Sequence, residues 1–349
     1  MFSRRGGVLR LLIGVAISAV FLAVTLLRVD LALAAEAIGN AAPGGLLAAL
    51  LIVLGDLCLR ALRWQVLLHG VEGPYVKPSY RLAFGYLTIG FAANAVLPAR
   101  LGDVARAVLA AGAFRIPRLA IFGTIMIERV SDGLTMLGLA VLSSLAVAGA
   151  AELQALTGYA IFLALGGLAV AVVGWILISR SGLAGTRVAN AISGIIRRVT
   201  VGAGALRSVR SAASFVGLTA VVTTTAVLVA WTVLGAVGVH LTPLQTVLFL
   251  SGIALSLAIP AAPGALGTYE FVGVAIITGL GYTPEQGLAT ILLMRVITTF
   301  PPALIGVGAI WALHVRPEAI VASAEAAEAT RAAREDEPGE VSIGQGPAA

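Results

Sequence analysis

The chain has 349 residues, 59% of them hydrophobic and only 11% charged, with a mean hydropathy of +1.01. Soluble domains carry roughly 25% charged residues, so a soluble enzyme is excluded and lipid must form part of the solvent. The formal charge of +6 does not indicate nucleic acid, because the basic residues are scattered between apolar spans. Cys58 is the one cysteine and lies in an apolar run, where helix packing is its expected role and no disulfide framework exists.

In chain order, apolar runs of spanning length occur at about 8–27, 44–62, 119–148, 158–179, 212–238 and 286–313. Each exceeds the ~17 residues that a bilayer core of roughly 30 Å requires. Arg4, Arg5 and Arg10 precede the first run, and Ala32-Leu33-Ala34 resembles a cleavage site. The run is long for a signal core, however, and Arg28 and Asp30 intervene, so a retained first helix is expected. Residues 183–210 read as a basic amphipathic cytoplasmic segment, either lying against anionic headgroups or serving as a solvated connector. The tail over 317–349 is rich in Ala and Glu and reads as polar and disordered.

Two further stretches, 81–112 and 244–281, are apolar but interrupted by Pro, Gly and charge. If 81–97 crossed the membrane, Arg115, Arg118 and the arginines from 180 to 210 would all lie outside, against the positive-inside rule. If 81–112 instead enters from the cytoplasm, turns at Pro98 and returns, only Arg28 is left outside. Arg100, Arg106, Arg129 and Arg295 are then intramembrane. Six full spans follow, with both termini cytoplasmic in a bacterial-type inner membrane.

An offset of 165 places Pro78 on Pro243, Phe84 on Phe249, Pro98 on Pro263, Leu101 on Leu266 and Gly102 on Gly267. One more residue of offset places Arg129-Val130 on Arg295-Val296. The chain is therefore expected to be an all-α polytopic membrane protein with two re-entrant helical hairpins in an inverted repeat, its halves about 44–148 and 212–313. The helix breaks are Pro98 and Gly102 in the first half, and Pro263, Gly264 and Gly267 in the second. Broken helices leave backbone polar groups that only protein or a wet cavity can satisfy, a recurrent transporter design.

Charges within the bilayer cost about 2.5–3.5 kcal/mol each on insertion scales, so they mark function or buried pairing. Arg100, Asp103 and Arg106 share a helical face, with Asp103 neutralising one arginine and one cation left over. Glu128 and Asp132 share another face, and Arg129 reaches Asp132 at i, i+3. Glu270 follows the second break, and Arg295 is the repeat mate of Arg129. Arginine suits a phosphate-bearing headgroup, since its planar fork matches phosphate oxygens and stays charged. The carboxylates would orient these arginines or exchange protons. Purely structural pairs, Glu128 with Arg295 or Arg129 with Glu270, are the competing reading. Arg60 and Arg63 beside Trp64 read as an interfacial anchor, and Pro301-Pro302 as a kink. His69, His240 and His314 lack ligand spacing, so no metal is expected; no nucleotide motif or other cofactor site is found.

Several segments together resemble the lysylphosphatidylglycerol synthase transmembrane, or flippase-like, family. They are Arg60-x-x-Arg63-Trp64, Pro98-Ala99-Arg100-Leu101-Gly102-Asp103-x-x-Arg106, Glu128-Arg129-Val130-x-Asp132, and Pro260-x-x-Pro263-Gly264-Ala265-Leu266-Gly267-x-x-Glu270 with the late Arg295. The likeness runs from about residue 10 to 315; Ala265 stands where glycine is commoner. Bifunctional members carry a soluble aminoacyl-transferase domain after the membrane part, so the resemblance implies a flippase-like domain over 1–316 without the synthase. It implies transport of an anionic or zwitterionic lipid headgroup, with no catalytic residues. Two other readings are a non-catalytic membrane partner of a separate synthase and a membrane-embedded lipid transferase.

Overall fold

The computed structural model describes residues 16, 18–73, 75–97, 101–146, 204–256, 266–316, 318 and 320. Among the described residues the regular structure is entirely helical. The helices are α1 (Ser18–Arg28), α2 (Leu31–Gly39), α3 (Pro43–Gly70), α4 (Tyr80–Val96), α5 (Leu101–Phe114) and α6 (Arg118–Ala146). After the gap come α7 (Val209–Ala236), α8 (Pro243–Ser256), α9 (Thr268–Gly279) and α10 (Pro284–Ala312). The span expected at 158–179, most of the basic segment 183–210 and nearly all of 317–349 lie outside the described residues, as do Pro98, Arg100, Pro263 and Gly264.

One succession of lengths occurs twice. Helices of 28, 17, 14 and 29 residues (α3–α6) are followed by helices of 28, 14, 12 and 29 residues (α7–α10). At 1.5 Å per residue the long members reach about 42–44 Å and the short ones only about 18–26 Å. α3, α7 and α10 are long and apolar enough to cross a membrane, which makes the chain a multi-pass membrane protein. α6 matches them in length but carries Glu128, Arg129 and Asp132 midway. α1 and α2 meet at an 81° bend. Asp30 caps α2, its carboxylate accepting from the backbone N–H of Ala32 at 2.8 Å. The cleavage-like Ala32-Leu33-Ala34 thus lies in the first turn of a helix that packs on α10.

Packing fixes the directions. α3 and α7 are antiparallel: a Cβ on Gly70 would strike Ala205, and one on Gly45 would strike Ala236. α4 and α5 fold back on each other, with Gly102 against Gly90 and Asn94, and Phe114 edge-on to Tyr86 at 5.3 Å. Their open end therefore lies with the C-terminus of α3, where Glu72 pairs with Arg207 at 2.8 Å. α8 and α9 also fold back, Gly252 against Ile276, and the Tyr282 hydroxyl joins the backbone of His240. That hairpin opens at the other end of the bundle, beside the C-terminus of α7.

Exchanging α3–α6 for α7–α10 leaves the pattern of helix contacts unchanged. α4 packs on α10 as α8 packs on α6, α3 on α10 as α7 on α6, and α5 on α6 as α9 on α10, while α3 and α7 pack on each other. Each half has its own apolar core. Trp64, Tyr86, Ile89, Phe114 and Ile121 anchor the first, and Leu234, Phe249, Ile277 and Ile291 the second. Local signals agree with the boundaries. Pro43 and Pro284 occupy the first turns of α3 and α10, where the missing N–H costs nothing. Thr283 and Gln286 form a reciprocal cap at the start of α10, and Ser208 accepts from the Ser211 N–H at the start of α7. Pro301 and Pro302 lie inside α10, which continues to Ala312. Cys58, expected in a packed face, is exposed instead, on the outer side of α3.

Candidate functional site

The first break brings five expected residues together and adds a sixth. α5 begins three residues beyond Pro98, so Asp103 and Arg106 fall on its first two turns, facing α6. Gly102 permits this: any β-carbon there would lie 2.3 Å from the Gly90 carbonyl oxygen and 2.5 Å from the Asn94 nitrogen. Glu128, Arg129 and Asp132 stand about ten residues into α6, roughly 15 Å along its axis.

Asp103 is gripped by Arg129 through two parallel hydrogen bonds, Nε to Oδ2 at 3.0 Å and Nη2 to Oδ1 at 2.9 Å. Asn94 Nδ2 donates to the same carboxylate at 3.3 Å. Arg106 donates through Nη2 to Glu128 Oε2 at 3.0 Å, and its guanidinium lies 3.6 Å from the centroid of the Trp64 ring. Trp64 is itself fixed by an indole N–H bond to Thr124 at 3.1 Å. Arg63 completes the group. It forms a fork on Asp132, with Nη2 to Oδ2 at 3.1 Å, and its Nε lies 3.6 Å from Glu128 Oε1. It also donates to Thr219 of α7 at 3.4 Å and stands over Phe215.

Several expected pairings are therefore replaced. Arg129 reaches across to Asp103 on α5 and leaves Asp132, its own-helix neighbour, to Arg63. Asp103 takes Arg129 rather than an arginine of its own helix. Glu128 pairs with Arg106 and not Arg295. Arg63 is no interfacial anchor: at 2% side-chain exposure it is among the most enclosed charges in the fold. The described residues of this group balance, with Arg63, Arg106 and Arg129 against Asp103, Glu128 and Asp132. The physical reason is desolvation, since an unmatched ion in a low-dielectric interior costs several kcal/mol or more. Arg60, one turn earlier, does pair with Asp56 as its spacing implies, and Asp56 also accepts from Thr225 of α7 at 2.7 Å.

The second break forms a smaller group. Arg295 Nη2 lies 2.7 Å from Glu270 Oε1, and the guanidinium sits 4.6 Å from the Tyr269 ring centroid. Glu270 Oε2 accepts the Gly267 N–H at 2.6 Å, so one carboxylate caps α9 and neutralises Arg295. Gly267 holds φ +88°, and a β-carbon there would meet the Ser18 carbonyl oxygen at 2.2 Å. Arg129 and Glu270 are thus in separate pairs.

Exposure separates the arginines by role. Arg63 and Arg106 are sealed at 2%, whereas Arg129 retains 34% and Arg295 24% of their side-chain surface. Among the described arginines of these two groups, Arg129 and Arg295 are the more exposed. Sequence spacing missed Arg63, Asn94 and Thr219. One signal was present: Val53, Leu57, Ala61, Trp64 and Leu68 form a buried stripe at helical spacing, and Arg63 lies four residues before buried Leu67.

Such geometry defines a helical membrane module with guanidinium–carboxylate groups built at two helix breaks. Residues 11–306 match the family model described as the lysylphosphatidylglycerol synthase TM region, and the chain belongs to that family. A protein named Glycosyltransferase AglD, from Haloferax volcanii, is 29% identical over 344 residues, covering 86% of this chain and 54% of that protein. The chain thus spans about half the length of the curated relative it matches. No solved structure matches it.

Proposed function

We propose that the chain is a flippase-like transporter that moves an anionic or zwitterionic lipid headgroup across the cytoplasmic (inner) membrane by alternating access. In this reading six spans and two re-entrant hairpins form an inverted repeat, with both termini cytoplasmic. The observation that carries it is the opposition of the two short-helix hairpins, each ending at a buried guanidinium–carboxylate group and opening toward opposite ends of the bundle. Arg129 and Arg295 engage the phosphate, with Arg100 beside the first break. Arg106 and Arg63 hold Glu128 and Asp132 in place, and Asp103 and Glu270 take up the cationic charge of Arg129 and Arg295 while the site is empty. A headgroup phosphate competes with those carboxylates for the same fork geometry, so binding loosens a pair in one half at a time. Population shift of this kind needs only a differential affinity between the two states.

Flux of a fluorescent phospholipid in reconstituted vesicles tests this. Arg129→Ala and Arg295→Ala should each lower the rate by at least about tenfold, the loss of one charge-assisted contact. Unchanged flux in both variants overturns the reading.

A second reading has its own observation. The similar protein is named a glycosyltransferase, and this chain covers only about half of it. The chain would then serve as the non-catalytic membrane partner of a lipid-modifying synthase, or itself be a membrane-embedded lipid transferase. Co-purification of a soluble transferase without flux by this chain alone favours the partner. Product formation by the purified chain favours the transferase.

A further inference from the structure

The turn between α5 and α6 contains a basic depression that the headgroup sites at the helix breaks do not use. It has a volume of about 450 Å³ and is lined by Ala111, Gly112, Arg115, Ile116, Pro117 and Arg118. Both arginines are exposed, and among the described residues neither has an ion pair or a side-chain hydrogen bond. They share this with Arg28, Arg81, Arg210 and Arg316, whereas Arg60, Arg63, Arg106, Arg129, Arg207 and Arg295 pair with a carboxylate; Arg115 and Arg118 are the two that line the depression. The depression lies at the end of the bundle where α3 finishes and α7 begins, since Phe114 packs on Trp64 and Tyr86. α3 is about 42 Å long, so its ends reach the headgroup layer of a bilayer whose core is roughly 30 Å thick.

The α5–α6 turn departs from its counterpart in the second half. Arg115 adopts the left-handed conformation, φ +55°. The offset of 166 that superposes Arg129 on Arg295 places Arg115 on Gly281, which holds φ +91° in the α9–α10 turn. The second half fills this left-handed position with glycine, the residue that adopts it without strain. The first half keeps the same backbone shape with a bulky cationic side chain, at a conformational cost that folding alone does not require. Its guanidinium is thereby held at the rim of the depression, with that of Arg118 three residues on.

The geometry points to a second lipid site here: Arg115 and Arg118 bind the phosphate of an anionic phospholipid from the leaflet at this end of the bundle, its glycerol lying over Ala111, Ile116 and Pro117. The site is separate from the paired charges at the helix breaks, and it stands whether or not the chain moves lipid.

The test uses the full chain reconstituted in vesicles of equimolar phosphatidylcholine and phosphatidylglycerol, then gently solubilised for native mass spectrometry. Wild type should retain phosphatidylglycerol in preference to phosphatidylcholine. The R115Q/R118Q variant should need about tenfold more phosphatidylglycerol for equal retention, while R28Q, at an exposed arginine at the other end of the bundle, should match wild type. R115G should lose retention while its thermal stability is equal to or above that of wild type, which separates lost binding from misfolding; retention equal to wild type overturns the role of Arg115. Equal retention by the double variant, or an equal loss in R28Q, overturns the site. A parallel titration with inorganic phosphate in detergent separates the sources. Saturation by free phosphate with no preference for phosphatidylglycerol would keep the anion chemistry and overturn the lipid as its source.

Discussion

The two halves of the molecule share one helix plan and solve its electrostatics differently. In α3–α6 three arginines and three carboxylates interlock, and Glu128 serves both Arg63 and Arg106. In α7–α10 Glu270 pairs with Arg295, with Tyr269 against the guanidinium and the Gly267 N–H on the carboxylate. An interlocked network resists rearrangement, because freeing any member strands another. The second-half pair is smaller and doubles as the cap of α9. The difference teaches that one succession of helices can carry its buried charge either as a shared network or as a pair tied to a helix end.

Removing Glu128 breaks this comparison most sharply. Glu128→Ala takes the carboxylate from Arg106 and one of the two acids facing Arg63, which keeps its fork on Asp132; both guanidinium groups are 2% exposed, and loss of one partner from a buried pair costs about 3–5 kcal/mol. Thermal unfolding of the solubilised protein should show a larger loss for this variant than for Glu270→Ala, which removes a carboxylate from a guanidinium that keeps 24% of its side-chain surface. Glu128→Gln, which keeps the shape and one acceptor, should recover part of the loss. A loss under about 1 kcal/mol would mean that water reaches Arg106 and that the network is not sealed.

Next in size are the glycines at the breaks. Gly102→Ala drives a methyl into the Gly90 carbonyl and the Asn94 backbone, which should cost about 1–3 kcal/mol through displacement of α5. Gly267→Ala should cost a similar amount for a different reason, its φ of +88° and the adjacent Ser18 carbonyl. If Gly102→Ala were silent in thermal unfolding, the close approach of α4 and α5 would be incidental.

A double-mutant cycle on Arg295 and Glu270 sharpens the contrast between network and pair. The coupling should be about 0.6–2 kcal/mol, the range for polar pairs between membrane helices. For Arg106 and Glu128 the same cycle should leave a residue that vanishes only when Arg63 is also replaced, because Glu128 faces both arginines.

Much of this plan was legible in the chain itself, and the reasons separate cleanly. Spans appear because lipid admits few polar residues, and the breaks appear because Pro98 and Pro263 interrupt apolar runs that otherwise read as helix. A repeat could be proposed because proline and glycine positions constrain backbone shape. Partner choice was not legible. The i, i+3 spacing of Arg129 and Asp132 describes neighbours on one helix, whereas the actual partners of both come from α5 and α3, through the depth at which those helices cross. Arg63 was hidden by its company. Beside Arg60 and Trp64, near a helix end, it has the composition of an interfacial belt, and only the facing Asp132 and Glu128 reveal it as core.

The smallest expected effect lies in the turns, and it tests whether the halves diverged for function. Arg115 and Gly281 occupy matching left-handed positions, φ +55° and +91°. Arg115→Gly should stabilise the protein by about 0.5–1 kcal/mol, since relief of left-handed strain, about 1–2 kcal/mol, exceeds the added freedom of glycine in the unfolded chain, about 0.5–1 kcal/mol. Gly281→Ala should do the reverse by about the same amount, because nothing crowds that site and only its φ resists a side chain. Both shifts can be read by thermal unfolding in detergent without lipid. If Arg115→Gly destabilises instead, the arginine is holding the turn together, and its place in the first half is structural. If it stabilises, the first half keeps a less stable residue where its twin shows a better one was available, which is the pattern of a side chain retained for what it binds.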